Sequence, residues 1–201
     1  MTFVNLKKLS LDFEKIPLKK VRKISLHQGR LYILEKQRSE IFVLDIEDDY
    51  LYSIGGPGQE AVDLEYPFDF FISKNLIYVL NPASRRIEIF DLKGKYVSRI
   101  HLRYLHALFN LESLLVTDNY FIIGTNFNEL VSLFDRDGIY KKAILKSKPP
   151  LEVPATGLIV YPAQLSIVED SILHFNRLTG EFIKLKQKGG LGACRGISVV
   201  G

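Results

Sequence analysis

Residues 77–100 read IYVLNPASRRIEIFDLKGKYVSRI, and residues 31–54 read LYILEKQRSEIFVLDIEDDYLYSI. The two match in pattern: an apolar run, a polar turn, a second apolar run ending in Asp, another turn, and a third run that opens on Tyr. Working outward, the pattern aligns without gaps in four segments that begin at Ile24, Phe70, Leu114 and Leu165. One column holds Leu26, Ile72, Val116 and Ile167, and another holds Ile41, Ile87, Val131 and Phe182. Three segments share the spacing Asp-x4-Tyr-x3-Ile, starting at Asp45, Asp91 and Asp135. Such repetition marks a copied supersecondary unit whose copies bury their faces against one another.

Each unit reads as four short strands. In the second unit FFIS, LIYVL, RIEIFD and KYVSRI are rich in β-branched and aromatic residues and have strand length. Lys74-Asn75, Asn81 to Ser84 and Lys93-Gly94 separate them, and Asp137-Gly138 supplies the matching hairpin signal in the third unit. Helical periodicity is confined to RYLHALFNLES, residues 103–113, read as a short helical turn between units. The expectation is an all-β chain, a β-propeller of four-stranded antiparallel blades with about four recognisable units. It takes residues 1–201 as one domain with blade units at about 24–54, 70–100, 114–144 and 165–195. After Lys186, which replaces the Asp of its column, QKGGLGACRGISVVG continues no blade. LKKLSL, Leu6 to Leu11, fits the columns of VSRIHL, Val97 to Leu102. Residues 1–13 are therefore read as a closing strand for the last blade or for a second copy. An arc left open should self-associate, because exposed blade faces favour burial by ~25 cal/mol per Å².

The second unit, with its entry, resembles an NHL-type repeat, and more closely the six-bladed β-propeller proteins of bacterial cell envelopes. The residues that carry this are Gly55-Gly56-Pro57-Gly58, Pro67, Ile77-Tyr78-Val79 and Ile87 to Lys95. The resemblance extends over about residues 1–186. It implies a partial six-bladed propeller, a cell-envelope location and a binding role. Asn81 stands where the resemblance places Asp, and the Gly-rich entry occurs once.

Composition sets bounds. Of 201 residues 47% are hydrophobic and 25% charged, the balance of a globular domain rather than a disordered chain. No apolar run approaches the ~20 residues of a membrane helix. The opening MTFVNLKKLSLDFEKIPLKK does not read as a signal peptide, so the chain as given reads as cytoplasmic where the resemblance implies the envelope. Cys194 is the sole cysteine, which excludes an intrachain disulfide and a cysteine metal cluster. A net charge of +4 is compatible with an anionic partner without requiring one.

Chemical motifs resolve into turns. GGPGQE lacks the Lys-Ser/Thr of a phosphate loop, and Pro67 argues against a following helix. DRDG, Asp135 to Gly138, opens like a calcium loop but lacks the later ligands. His27, His101, His106 and His174 have no metal-ligand spacing. A metal-dependent hydrolase or lyase on a propeller would draw on Asp69, Asp118, Asn119, Asp170 and His174, so an enzyme is the second reading. Basic residues such as Arg85, Arg86, Arg99, Lys141 and Lys142 alternate with apolar ones along outer strands. That is the pattern of a solvated strand face, and it makes an NHL-like RNA-binding module the third reading.

The first reading is a non-catalytic binding module for a protein, peptide or glycan. No motif implies a cofactor or a metal. Loops on a rigid scaffold carry function more often than the scaffold does. The connections 55–69, 101–113 and 145–164, with the hairpins EKQRSE, NPASRR and TNFNE, define one such face. Its candidate ligand contacts are Arg38, Arg85, Arg86, Tyr66, Phe109 and Tyr161.

Overall fold

The computed structural model describes residues 18–45, 50–56, 64–103, 111–125, 131–145, 163–168, 171–176, 182–187 and 197–200. All regular structure among them is strand, arranged as four sheets of four antiparallel strands in chain order. The first sheet comprises β1 (Val21–His27), β2 (Arg30–Glu35), β3 (Glu40–Asp45) and β4 (Tyr50–Gly55). The second comprises β5 (Asp69–Ser73), β6 (Leu76–Asn81), β7 (Arg86–Asp91) and β8 (Tyr96–His101). The third comprises β9 (Leu111–Val116), β10 (Tyr120–Thr125), β11 (Val131–Asp135) and β12 (Tyr140–Leu145). The fourth comprises β13 (Ala163–Val168), β14 (Ser171–Asn176), β15 (Phe182–Gln187) and β16 (Ile197–Val200). Asp45, Asp91 and Asp135 each end the third strand of their sheet, the equivalence that the repeat predicts.

Burial explains why the sequence alternates in some strands and not in others. β6 and β7 are covered on both faces and read as near-continuous apolar runs. The outer strand β8 is mostly exposed and carries Ser98, Arg99 and His101. Lys74 and Asn75 adopt φ 49° and 60°, the left-handed pair of a two-residue primed hairpin turn.

The Asp column builds the other hairpin. Asp91 Oδ1 accepts from the Lys93 and Lys95 N–H groups at 2.8 and 2.9 Å. Asp135 Oδ1 likewise accepts from Asp137 and Ile139 at 3.1 and 2.8 Å, and Lys141 Nζ reaches its Oδ2 at 2.6 Å. The Tyr column then packs edge-on against the third strand, Tyr96 on Phe90 and Tyr140 on Phe134. DRDG is thus a hairpin whose carboxylate is occupied by its own backbone.

The chain forms two compact units, residues 1–64 and 65–201. The first contains the first sheet, where Ile33, Phe42 and Leu44 pack with Leu18 and Leu31. The second holds the other three sheets. Leu80, Ile87 and Ile89 of the second sheet pack against Leu114, Phe121 and Phe134 of the third. Ile122, Val131 and Leu133 of the third pack against Leu165 and Ile172 of the fourth. First strands lie side by side, β5 by β9 and β9 by β13.

Polar groups fasten the seam between the second and third sheets, among them the exposed ion pair of Lys74 with Asp118 at 2.7 Å. Buried Asp69 accepts from its neighbour Phe70 N at 2.8 Å and from Leu114 N at 2.7 Å. The Arg136 guanidinium lies 4.4 Å from the Phe121 ring centroid and 5.1 Å from that of Tyr78, and donates to the Tyr78 hydroxyl at 2.9 Å. Arg103 N donates to Gly138 O at 2.7 Å, and Tyr140 N donates back to Arg103 O at 3.2 Å.

Two expectations are corrected. Residues after Lys186 do continue a blade: β16 pairs with β15 in the outer position of the fourth sheet, with Lys184 opposite Val200 and Gln187 opposite Ile197. β16 thus fills the outer place beside β15. Leu6 to Leu11, read as a closing strand, lie outside the described residues. Leu111 to Ser113, read as part of a helical turn, begin β9, because pairing with Thr125 and Gly124 satisfies the backbone as strand.

Candidate functional site

Three of the six site candidates, Tyr66, Arg85 and Arg86, meet at one end of the second sheet, where Asn81 closes β6. With its amide turned so that nitrogen faces the chain entering the sheet, Asn81 donates to Glu65 O at 2.6 Å. Its oxygen accepts from Glu65 N and Ser84 Oγ, both at 3.2 Å. One buried side chain therefore grips the backbone of Glu65 as a strand partner would and ties it to the hairpin of residues 82–85. Aspartate lacks the donor for the first of these bonds, which gives the departure at position 81 a physical reason. Phe68 N donates to Leu80 O at 3.0 Å and completes the anchorage.

The next residue, Tyr66, is consequently held in the left-handed region at φ 53° with 65% of its surface exposed. A bulky residue rarely adopts this φ. The hairpin beside it carries Arg85, exposed at φ 52°, whose N–H donates to Pro82 O at 3.1 Å and whose carbonyl accepts from Leu102 N at 2.9 Å. Arg86 opens β7, and its Nε is buried without a hydrogen-bond partner among the described residues.

Two residues along β7 lies Glu88, 1% exposed, in a column that is Phe42 in the first sheet and Ser132 in the third. Arg99 Nε on β8 lies 3.6 Å from Glu88 Oε2, an ion pair rather than a hydrogen bond. Arg99 also donates to Tyr96 OH at 2.9 Å. Burial pushes the Glu88 carboxyl up from its ordinary range, and the charges of Arg99, Arg86 and His101 pull it part of the way back. This end of the sheet thus gathers an exposed phenol, the side chains of Arg85, Arg86, Arg99 and His101, and the buried carboxyl of Glu88, while the buried Asp69 nearby is taken up by backbone N–H groups.

The other candidates lie elsewhere. Arg38 belongs to the first sheet, where its Nε donates to Glu40 Oε2 at 3.0 Å. There Glu35 takes the place of Asn81, accepting from Lys20 N at 2.5 Å and Arg38 N at 2.6 Å. Gly55 and Gly56 have φ 82° and 99°, and a Cβ on Gly56 would sit 2.5 Å from Glu40 Oε1, so these glycines make a close-packed turn. Phe109 and Tyr161 lie outside the described residues. Of the imagined metal ligands, Asp69 is bound by backbone N–H groups, and Asp118 pairs with Lys74 at 2.7 Å in an exposed turn. Asp170 lies outside the described residues. No group of three or more His, Cys, Asp or Glu among the described residues is placed to hold a metal ion.

The sequence reading missed Glu88, Arg99 and His101 as members of one constellation. The available signal was a Glu between Ile87 and Ile89 inside a strand, in a column otherwise free of charge.

Repeated four-stranded antiparallel sheets, packed face to face, define a β-propeller protein. The chain belongs to the family described as 6-bladed beta-propeller, DUF5128, whose model matches residues 11–121, more than half of its length. Among solved structures it is similar to a candidate exported protein from Bacteroides fragilis NCTC 9343, with a TM-score of 0.69 and 13% identity over 98% of this chain and 52% of that one. It is also similar to a protein of unknown function from Bacteroides caccae, with a TM-score of 0.60 and 10% identity over 90% of this chain and 60% of that one. The chain thus spans between half and three fifths of the length of these two structures. No curated protein matches it. Among the described residues no helix is long and apolar enough to cross a membrane.

Proposed function

We propose that the chain is a non-catalytic binding module of a cell-envelope propeller, with its ligand, a protein, peptide or glycan, meeting the hairpin end of the second sheet. The observation that carries this reading is the exposed, left-handed Tyr66 held beside the Arg85–Arg86 hairpin by the Asn81 amide. Unusual backbone geometry persists only where surrounding bonds enforce it, and such geometry clusters at functional sites. Tyrosine and arginine are also the side chains that dominate binding energy at interfaces. At the opposite end of the sheets, by contrast, Asp91, Asp135, Asp118 and Arg136 are engaged in turns and seams. The envelope location draws support from the similarity to a candidate exported protein.

The test is a binding screen of the whole chain against oligosaccharides and peptides, acidic and neutral, followed by titration of any hit against Tyr66→Ala and the double variant Arg85→Ala with Arg86→Ala. Each should weaken binding by about thirtyfold, the scale of an interface hot spot at ~2 kcal/mol. A hit whose affinity is untouched by both variants places the binding surface elsewhere. Turnover of a hit would move the enzymatic reading to first place.

A further inference from the structure

Two hairpins share one backbone and carry opposite chemistry. The hairpin between β2 and β3 and the one between β6 and β7 hold equivalent places, with Glu35 opposite Glu40 in the first sheet and Asn81 opposite Arg86 in the second. Each turns through a left-handed residue just before the third strand, Ser39 at φ 57° and Arg85 at φ 52°. In the first hairpin the third strand opens on buried Glu40, whose Oε2 accepts from Arg38 Nε at 3.0 Å. In the second it opens on Arg86, with Arg85 at the left-handed position and no acid between Pro82 and Arg86. The first hairpin supplies a carboxylate for its own guanidinium. The second presents two guanidinium groups without one.

Other arginines of the chain find acceptors. Arg38 has Glu40, Arg99 has the Tyr96 hydroxyl at 2.9 Å, and Arg136 has Thr117 O at 3.2 Å and the Tyr78 hydroxyl at 2.9 Å. Among the described residues no acid forms an ion pair with Arg85 or Arg86, and Arg86 Nε is buried without a hydrogen-bond partner. The acids at this end are otherwise placed. Glu88 lies against Arg99, Asp69 accepts from backbone N–H groups, and Glu65 is exposed beside Tyr66. A donor enclosed without an acceptor is costly, and more so when it is charged. The planar N–H pairs of a guanidinium match the two oxygens of a carboxylate, and arginine clusters are a recurring means of recognising acidic motifs. The group that completes the first hairpin is a glutamate side chain, so the group that completes the second is of the same kind and comes from outside it. Tyr66 is exposed at the same end, and tyrosine and arginine are enriched where proteins meet.

The geometry points to an acidic peptide segment of a partner protein as the ligand of this end, its glutamate or aspartate carboxylate serving Arg85 and Arg86 as Glu40 serves Arg38. This rests on the reading of the hairpin end as the binding face and adds the chemistry of what it binds.

The experiment follows backbone amide shifts of the full, isotope-labelled chain with two short peptides that differ only in charge, a Glu-Gly repeat and its Gln-Gly counterpart. The Glu peptide should shift Tyr66, Arg85, Arg86 and Leu102, the last because its N–H donates to Arg85 O. It should bind about tenfold more tightly than the Gln peptide, the scale of one hydrogen bond to a charged group. Added salt should narrow the gap. Arg85→Ala with Arg86→Ala should erase the preference, and Arg86→Glu should turn it toward a Lys-Gly peptide, each with an unchanged far-UV spectrum. Arg85→Ala alone, at an exposed position, should weaken the Glu peptide even if a change at 86 disturbs the sheet. Equal binding of the Glu and Gln peptides through these residues overturns the acid preference and leaves the binding face in place. Shifts confined to other residues overturn both. Tighter binding of a galacturonate oligomer, lost in the double alanine variant, assigns the carboxylate to an acidic sugar and overturns the peptide. No shift with any of these probes at about millimolar concentration overturns the inference outright.

Discussion

Glu88 shows how one residue can stand against its surroundings. Its column neighbours are apolar or small, it is buried, and its carboxyl is pushed up chiefly by desolvation despite Arg99, Arg86 and His101. An acid whose folded-state pKa exceeds the ordinary 4.5 keeps its proton in the folded protein at pH values where the unfolded chain has lost it. Its contribution to stability is therefore most favourable below the unfolded pKa and is lost as pH rises through the folded one. Glu88→Gln should raise the melting temperature at pH 7.5 by ~2–4 °C, the shift of about 1 kcal/mol in a domain of this size, and the difference should vanish at pH 4. A lower melting temperature for the Gln variant at pH 7.5 would mean that the Arg99 pair outweighs desolvation. Asn81 makes the complementary case. Asn81→Asp loses the donor to Glu65 O and sets a carboxylate against a carbonyl, so chemical denaturation should show a loss of ~1–3 kcal/mol. Equal stability of the two proteins would remove the anchor from the account of Tyr66. The sequence marks position 81 as a departure from the resemblance, but its role was not legible there. The partner is a backbone group 16 residues upstream, and backbone groups leave no trace in composition.

The hairpin between the third and fourth strands is the most legible element. Asp and Tyr recur at fixed spacing in three units, and Gly in the second and third, because each has its own local role. The carboxylate caps the loop N–H groups, glycine takes the positive φ, and the ring packs back on the sheet. What the sequence does not reveal is that the loop of the third sheet also docks on the second. A Cβ on Gly138, at φ 78°, would lie 2.2 Å from His101 O, whereas one on Gly29, at φ 74°, has nothing within 4 Å. The two glycines thus share a backbone cost and differ in docking. Gly29→Ala should cost ~1–2 kcal/mol, the penalty of a left-handed non-glycine residue. Gly138→Ala should cost at least ~1 kcal/mol more, because a steric clash at a seam adds to it. Equal losses in urea unfolding would show that the Arg103–Gly138 contact contributes nothing beyond the turn. The first sheet departs from the pattern in a readable way, since Tyr50 packs on Phe42 where Tyr96 and Tyr140 use Phe90 and Phe134. β16 was not legible at all. ISVV is short, follows the Gly-rich KGGLGACRG, and has no Asp hairpin before it. Only its ladder with β15 identifies it as strand.

At the scale of the whole molecule the repeat supplied the sheet count and strand order, because inter-sheet packing imposes the same buried columns on each copy. The family is six-bladed, and the described residues carry four sheets. What joins neighbouring sheets is less visible in sequence than what repeats within them. Asp69, Arg103 and Arg136 each occur once and fall outside the shared columns, yet all three bind the second sheet to the third. On sequence Asp69 is a candidate metal ligand, because an inward carboxylate at the start of a first strand fits that role equally well. Its two oxygens instead accept from Phe70 and Leu114 N–H groups at 2.8 and 2.7 Å, in a site only 5% exposed. Hydrogen bonds to a charged acceptor are worth ~1.5–3 kcal/mol each, and losing the acceptor leaves buried donors unsatisfied. Asp69→Ala should therefore destabilise the chain by ~2–4 kcal/mol, well above the typical single substitution. The lesion should also be directional. Amide exchange at Leu114 should accelerate more than at Val79 or Ile87 inside the second sheet, since their ladder bonds do not depend on Asp69. If Leu114 stays protected while overall stability falls, the carboxylate supports its own strand rather than the seam. If neither changes, first-strand packing alone joins the two sheets.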